Sequence, residues 1–132
     1  MKNALLDTNA YNFLISGDKN IQAQLKKIDN IFISVIVIGE LCVGFEGGNK
    51  KKNNFEVLER VLNQGSVKML RPTVETGKIY GRLTVELNRK GTPIPTNDVW
   101  IAASTIETDS TLITYDRHFL SIPKLKLWRE LK

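Results

Sequence analysis

The sequence predicts an α/β protein built on a mainly parallel β-sheet. Short apolar runs of strand length recur along the chain, and segments with helical periodicity lie between them. Such alternation is typical of parallel sheets, because a helix carries the chain back to the edge at which the next strand starts. The apolar runs predict strands at residues 4–6, 31–33, 67–70, 111–114 and 125–127.

The segments between these runs carry the helical signals. Apolar residues within 55–62 and within 74–89 recur at intervals of three and four, which gives each segment one apolar face. Glycine and proline in residues 91–95 then predict a loop. Residues 96–98 are good helix starters ahead of a run of small and apolar residues, which predicts a further helix packed closely on the sheet.

The composition indicates one globular domain spanning residues 1–132. A chain of this length buries about two-thirds of its unfolded surface. Its 42% hydrophobic and 25% charged residues are ordinary for a globular protein. The apolar runs are too short for a membrane helix or a secretory signal, and the single cysteine, Cys42, excludes an internal disulfide. We therefore expect a soluble, cytoplasmic protein without membrane association.

The formal net charge of +5 raises the affinity of the chain for polyanions in general. If several of the 14 acidic residues gather at one site, the remaining surface is more basic than this total indicates. The positions of the acids are therefore the main clue to function.

Two acidic residues directly follow predicted strands. Asp7 ends the first apolar run, and Asp116 follows the fourth. The carboxyl ends of the strands in an open α/β sheet form the crevice in which ligands bind, so both positions suit a functional site. Each residue also has a structural interpretation, because Asp7 is a good N-cap for the next helix and Asp116 is a common turn or cap residue.

Glu40 is the only charged residue in the apolar stretch 35–45, VIVIGELCVGF, which predicts a helix buried on every side. An unpaired carboxylate in such surroundings costs several kcal/mol. It must therefore be neutral, paired with a base, or held on a metal ion with other acids. A buried salt bridge, and a helix edge at which Glu40 reaches solvent, are both open alternatives.

Asp98 lies in the first turn of its predicted helix, where the helix dipole stabilises a carboxylate even without a functional role. Together with Asp7, Glu40 and Asp116 it forms a set of four acids that one edge of the sheet could gather. Clustered carboxylates repel unless cations neutralise them, and oxygen ligands suit Mg²⁺ or Mn²⁺ better than Zn²⁺. A phosphate ester is the natural substrate of such a site.

Four short segments stand out along the chain: LLDTN at 5–9, IGEL at 38–41, GTPIPTNDVWIAA at 91–103 and TYDRHF at 114–119. Each segment is weak alone, but their order and spacing are specific. Together they resemble the PIN-domain nucleases and, among them, the VapC family of toxins from type II toxin-antitoxin (VapBC) systems, and the match runs nearly from end to end.

The resemblance implies a three-layer PIN-like α/β fold. In this fold a five-stranded parallel sheet with strand order 3-2-1-4-5 has helices on both faces. The resemblance also implies that four acids are at once catalytic residues and metal ligands, and that two hydroxyls support them. These residues are Asp7, Glu40, Asp98 and Asp116, supported by Thr8 and Thr114.

The implied activity is that of a metal-dependent endoribonuclease, which hydrolyses RNA phosphodiester bonds with water activated by Mg²⁺ (or Mn²⁺). Asp7, Asp98 and Asp116 are the expected principal ligands, whereas Glu40 either binds the metal or positions a bound water. His118 is expected to be a neighbour of the acidic cluster or a surface residue rather than a ligand. The expected substrate is tRNA or ribosomal RNA, although messenger RNA fits the same kind of site.

The resemblance further implies protein partners. VapC toxins pair with a VapB-type antitoxin whose C-terminal segment covers the acidic pocket, and homodimers of the toxin are usual. We therefore expect a homodimer and a toxin-antitoxin hetero-oligomer, in addition to the RNA substrate.

The main alternative is a PIN-like module that binds RNA or protein without cutting. An aspartate-nucleophile phosphatase is disfavoured, because such enzymes normally carry a second acid two residues after the first, where this chain has Asn9. A nucleotide-binding domain is disfavoured because the sequence contains neither G-x-G-x-x-G nor a P-loop pattern.

Overall fold

The computed structural model describes residues 2–131. Within this range the sheet has four parallel strands in the order β3-β2-β1-β4. Because β1 and β4 are neighbours in space, the carboxyl ends of the first and last strands lie side by side. The strands are β1 (Asn3–Leu6), β2 (Asn30–Ser34), β3 (Val67–Leu70) and β4 (Thr111–Ile113).

Six α-helices connect these strands in pairs in the described part of the chain, and a short 3-10 helix, Arg117–Ser121, follows β4. The predicted helices within 55–62, within 74–89 and from 96 onward are confirmed. Between residues 2 and 131, none of the helices is both long and apolar enough to cross a lipid bilayer. The helices are α1 (Thr8–Ile15), α2 (Lys19–Leu25), α3 (Val35–Gly47), α4 (Lys51–Leu62), α5 (Val74–Lys90) and α6 (Thr96–Glu107).

Both faces of the sheet are covered. Ala4, Leu5 and Leu6 of β1 are all fully buried, although successive residues of a strand point to opposite faces. For right-handed crossovers, the observed strand order places α1 to α4 on one face and α5 and α6 on the other. The predicted α/β class with helices on both faces is therefore confirmed.

The predicted fifth strand at residues 125–127 is wrong as a regular strand, because that segment forms a single parallel bridge between Leu127 and Leu112. Leu112 N–H donates to the carbonyl of Lys126 at 2.8 Å, and Trp128 N–H donates to the carbonyl of Leu112 at 3.1 Å. The pairing extends no further because β4 is only three residues long and the chain buries the Trp128 side chain directly afterwards. The observed order is thus 3-2-1-4, with this bridge in the place of strand 5.

Helix α3 is buried on one face, so the prediction that it is buried on every side is wrong. Val37, Leu41 and Phe45 face the core, whereas Val43 is 75% exposed. Burial is set by the elements that pack against a helix, and an apolar outer face does not by itself bring a covering element.

The loop predicted after α5 is confirmed. Gly91 ends α5 in the left-handed conformation, with φ of 72°, which a residue with a side chain rarely adopts. The chain then reverses over residues 92–95 and starts α6, whose first turn carries Asn97 and Asp98.

Candidate functional site

The candidate site begins where β1 and β4 end. Leu6 pairs with Ile113 in the sheet, and the Asp7 N–H donates to the carbonyl of Ile113 at 3.4 Å. The residues immediately beyond the two strands, Asp7 and Thr114, are therefore neighbours although 107 positions separate them in the sequence.

Asp7 is buried and accepts hydrogen bonds on both carboxylate oxygens. Its Oδ1 accepts from the backbone N–H of Ala10 at 2.8 Å, which caps α1. Its Oδ2 accepts from the Thr114 hydroxyl at 2.5 Å. Burial raises the pKa of Asp7 to about 6; the two hydrogen bonds oppose this shift, and the charges of Asp98 and Asp116 add to it. The same carboxylate thus caps a helix and lies among other acids.

Glu40 of α3 is tied to the first turns of two other helices. Its Oε1 accepts from the Thr8 hydroxyl of α1 at 2.5 Å, and its Oε2 accepts from the side-chain amide of Asn97 of α6 at 3.2 Å. Across residues 2–131 Glu40 forms no ion pair with a base. The buried salt bridge is therefore wrong, and the half-buried side chain matches the alternative in which Glu40 reaches solvent at a helix edge.

His118 lies between Asp98 and Asp116. Its Nε2 is 3.0 Å from Oδ2 of Asp98, and its Nδ1 is 3.0 Å from Oδ1 of Asp116. The backbone N–H of His118 also donates to Asp116 Oδ1 at 3.2 Å, so Asp116 caps the 3-10 helix as well. Burial raises the pKa of Asp98; His118 opposes this shift, while Glu40 and Asp116 reinforce it. The prediction that His118 neighbours the acidic cluster is confirmed.

The four predicted acids come together in one cluster. Asp98 interacts electrostatically with Glu40 and Asp116, and Asp7 interacts with Asp98 and Asp116. The four acids lie on different elements of the fold. Asp7 and Asp116 follow the ends of two adjacent strands, whereas Glu40 and Asp98 lie on helices α3 and α6. We call these four residues the acidic cluster.

The acidic cluster has an excess of negative charge. Within residues 2–131, His118 is the only basic side chain paired with any of its four members. The two predicted supporting hydroxyls, of Thr8 and Thr114, both donate into the cluster. Such a set of one buried and three half-buried carboxylates suits a divalent cation of the Mg²⁺ type.

Sequence reasoning missed two contacts around the site. The first is the hydrogen bond from the Asn97 side chain to Glu40. The only sequence feature that points to it is the position of Asn97 directly before Asp98, a predicted site acid. The Tyr115 hydroxyl donates to Asp18 at 2.8 Å and so fixes the chain after β4 to the loop between α1 and α2. Burial, with the charge of Asp18 adding to it, raises the pKa of Tyr115 to about 12. Nothing in the sequence marks that pair.

Known proteins resemble the chain over nearly its whole length. The family described as "PIN domain" matches residues 4–125. "Ribonuclease VapC2" of Rickettsia felis is 33% identical over 128 residues, which are 93% of this chain and 94% of that protein. The chain belongs to the VapC family of PIN-domain proteins.

Two further matches agree with membership of the VapC family. "Ribonuclease VapC1" of Haemophilus influenzae is 29% identical over 131 residues, 96% of each chain. A solved structure of VapBC2 from Rickettsia felis, bound to a DNA fragment from the VapBC2 promoter, superposes on this chain with a TM-score of 0.85 at 30% sequence identity. The superposition covers 96% of this chain and 97% of that one. The strand order and the helix pairs of this VapC-family chain are therefore those of a known fold.

The raised pKa of Asp7 predicts that Asp7→Asn stabilises the metal-free protein. Folding disfavours the charged form of Asp7, so ionisation of this carboxyl lowers the stability of the wild type. This loss of stability is absent near pH 4, grows as the pH rises towards 6 and is complete above it. The Asn side chain of the variant cannot ionise, and its amide oxygen can still cap α1. We expect the free energy of unfolding at pH 8 to rise by up to about 3 kcal/mol, measured by urea denaturation in EDTA.

The wild-type protein at pH 4 is the internal control, because the two proteins should there unfold at similar urea concentrations. A variant that is less stable than wild type at both pH values would contradict the prediction.

Proposed function

We propose that this VapC-family chain is a metal-dependent endoribonuclease and the toxin of a VapBC-type toxin-antitoxin pair. The observation that carries the proposal is the convergence of Asp7, Glu40, Asp98 and Asp116 from two strand ends and two helices. The VapC relatives that bear the name ribonuclease support the same activity.

The donor set fits Mg²⁺ or Mn²⁺. Burial raises the pKa values of Asp7 and Asp98, which means that the cluster holds its negative charges at a cost that a cation would remove. Asp7, Asp98 and Asp116 would hold the ion through carboxylate oxygens. Glu40 would either bind it or position a water molecule beside it.

In the proposed reaction the metal ion supplies positive charge, and side chains and backbone of the protein orient the carboxylates. A bound divalent cation supplies charge that makes water a better nucleophile and offsets charge on the phosphate. Thr114 and the Ala10 N–H hold the Asp7 carboxylate in place, and Thr8 and Asn97 do the same for Glu40. The oxygens are therefore oriented before RNA arrives, and preorganised groups lose little energy to rearrangement during the reaction.

The charge distribution suits an RNA substrate. With a net charge of +5 and four acids gathered in the cluster, the rest of the molecule carries a larger basic excess. Basic surface attracts the phosphate backbone of RNA without regard to sequence. We infer that the substrate is tRNA or ribosomal RNA, which places the activity in the cytoplasm.

We also infer that a VapB-type antitoxin controls the activity and that the toxin assembles as a homodimer within a hetero-oligomer. The Rickettsia felis neighbour was solved as VapBC2, and it shares the fold over almost the entire chain. An acidic cluster open to solvent attracts a basic side chain of a partner, and such a contact would neutralise the charge that a metal ion otherwise offsets.

A metal-exchange assay tests the proposed activity. We expect the purified chain to cleave tRNA or ribosomal RNA in Mg²⁺ or Mn²⁺, to stop when EDTA is added, and to resume when either ion is restored in excess. The products, separated on denaturing gels, should be internal fragments rather than single nucleotides.

Cleavage that continues unchanged in EDTA would contradict the proposal. Absence of cleavage with every RNA and ion, combined with retained RNA binding, would instead favour a binding module without catalytic activity.

A further inference from the structure

We propose that His118 is a nitrogen ligand of the metal ion in the acidic cluster and that it shifts the preference of the site from Mg²⁺ towards Mn²⁺. The inference rests on the proposed metal-dependent function and deepens it. It also departs from the expectation from sequence, in which His118 is only a neighbour of the cluster.

The first support is the spacing of the donor atoms. One oxygen of Asp98, one oxygen of Asp116 and one ring nitrogen of His118 all lie within 4.8 Å of one another. Ligand atoms bound to one ion at about 2.0–2.2 Å are at most about 4.4 Å apart. The imidazole and the two carboxylates are therefore close enough to take part in one metal site.

The second support is the orientation of the imidazole ring. Nδ1 faces Oδ1 of Asp116 at 3.0 Å, and the backbone N–H of His118 holds the same oxygen at 3.2 Å. Metal-bound histidines commonly present their second nitrogen to a carboxylate, which fixes the ring and directs the other nitrogen at the ion.

The third support is the environment of Nε2. This atom is buried and faces Oδ2 of Asp98 at 3.0 Å. A ring nitrogen and a carboxylate oxygen this close can share either a proton or, as proposed here, one metal ion. The ring also packs edge-on against the fully buried Phe119, with centroids 4.7 Å apart, which limits other orientations.

The chemical consequence concerns metal selectivity. Mg²⁺ is bound mainly by oxygen, and it loses its waters reluctantly to other ligands. Imidazole nitrogen suits transition-metal ions, whose affinity for such ligands exceeds that of Mg²⁺. A mixed set of carboxylates and one imidazole should therefore bind Mn²⁺ more tightly than Mg²⁺.

The experiment uses Mn²⁺ bound to the full chain, prepared without a histidine tag. Because the sequence contains a single histidine, a ¹⁴N imidazole coupling in the pulsed EPR spectrum of bound Mn²⁺ comes from His118. We expect this coupling in the wild type and its loss in His118→Gln. The dissociation constant for Mn²⁺ should rise about 10-fold or more in the variant, while that for Mg²⁺ changes far less. Glu56→Gln, an exposed substitution on α4, should leave both constants unchanged.

The possible results separate this inference from the proposed function. Bound Mn²⁺ without ¹⁴N coupling in the wild type overturns the ligand role of His118 and leaves the metal-dependent nuclease standing. Equal loss of affinity for Mn²⁺ and Mg²⁺ in His118→Gln overturns the selectivity. If the wild type binds neither ion, the inference and the proposed metal dependence both fall.

Discussion

Asp98→Asn should lower the rate of RNA cleavage in Mg²⁺ by about 100-fold or more, because the loss of a directly binding carboxylate exceeds the 10–100-fold effect typical of groups that only support a ligand. Asp98 is central to the acidic cluster, since it interacts with Glu40 and Asp116 and lies beside His118. The amide has nearly the same shape, so the change removes charge and little else. The initial rate of cleavage at saturating Mg²⁺ is the measurement.

Asp29→Asn is the matched control for that experiment. Asp29 is exposed and lies just before β2, away from the carboxyl edge of the sheet, so the same chemical change there should leave the cleavage rate at the wild-type level. Wild-type cleavage by Asp98→Asn would remove Asp98 from the proposed site. Circular dichroism should show both variants folded.

Trp128→Ala should destabilise the fold by about 3–5 kcal/mol, the usual cost of truncating a large buried aromatic residue. Trp128 is only 2% exposed. Its ring packs edge-on against Tyr115 with centroids 5.2 Å apart, and its indole N–H donates to the carbonyl of Thr114 at 2.6 Å. The residue thus supports the backbone that carries the acidic cluster, and urea denaturation measures the loss.

Trp128→Phe separates the packing of the ring from its hydrogen bond, and Val43→Ala is the control at an exposed position. Trp128→Phe keeps most of the packing and loses the hydrogen bond to Thr114, so its stability should lie between those of the wild type and Trp128→Ala. Val43 is 75% exposed, and its truncation should change stability little. If Trp128→Ala unfolds at the wild-type urea concentration, the segment after β4 does not support the sheet as described.

The residues that follow strands were the most predictable part of the site. Both Asp7 and Asp116 lie at the predicted carboxyl edge, because short continuous apolar runs mark the strands and parallel strands share that edge. The order of the strands was not available from periodicity, which carries no information on which strands pair; it came from the resemblance to VapC proteins. The fifth strand of that resemblance is reduced here to one bridge.

The apolar sequence around Glu40 predicts its environment only in part. Its helix is apolar all round, yet one face is exposed, so the carboxylate is not forced into an ion pair. The two hydrogen bonds that hold it, from Thr8 and Asn97, join residues 32 and 57 positions away. Contacts of this kind depend on how helices pack in three dimensions, and local propensity and spacing do not determine them.

The double role of Asp7 restricts how this sequence can change over evolutionary time. Its carboxylate starts α1 as well as belonging to the acidic cluster, so a descendant released from selection for RNA cleavage would still need a capping side chain there. Asn, Ser and Thr supply such a cap, whereas Ala or Leu would cost about 0.5–2 kcal/mol of helix stability. Inactive descendants that keep this fold should therefore carry a short polar residue at position 7 even after the activity itself has disappeared.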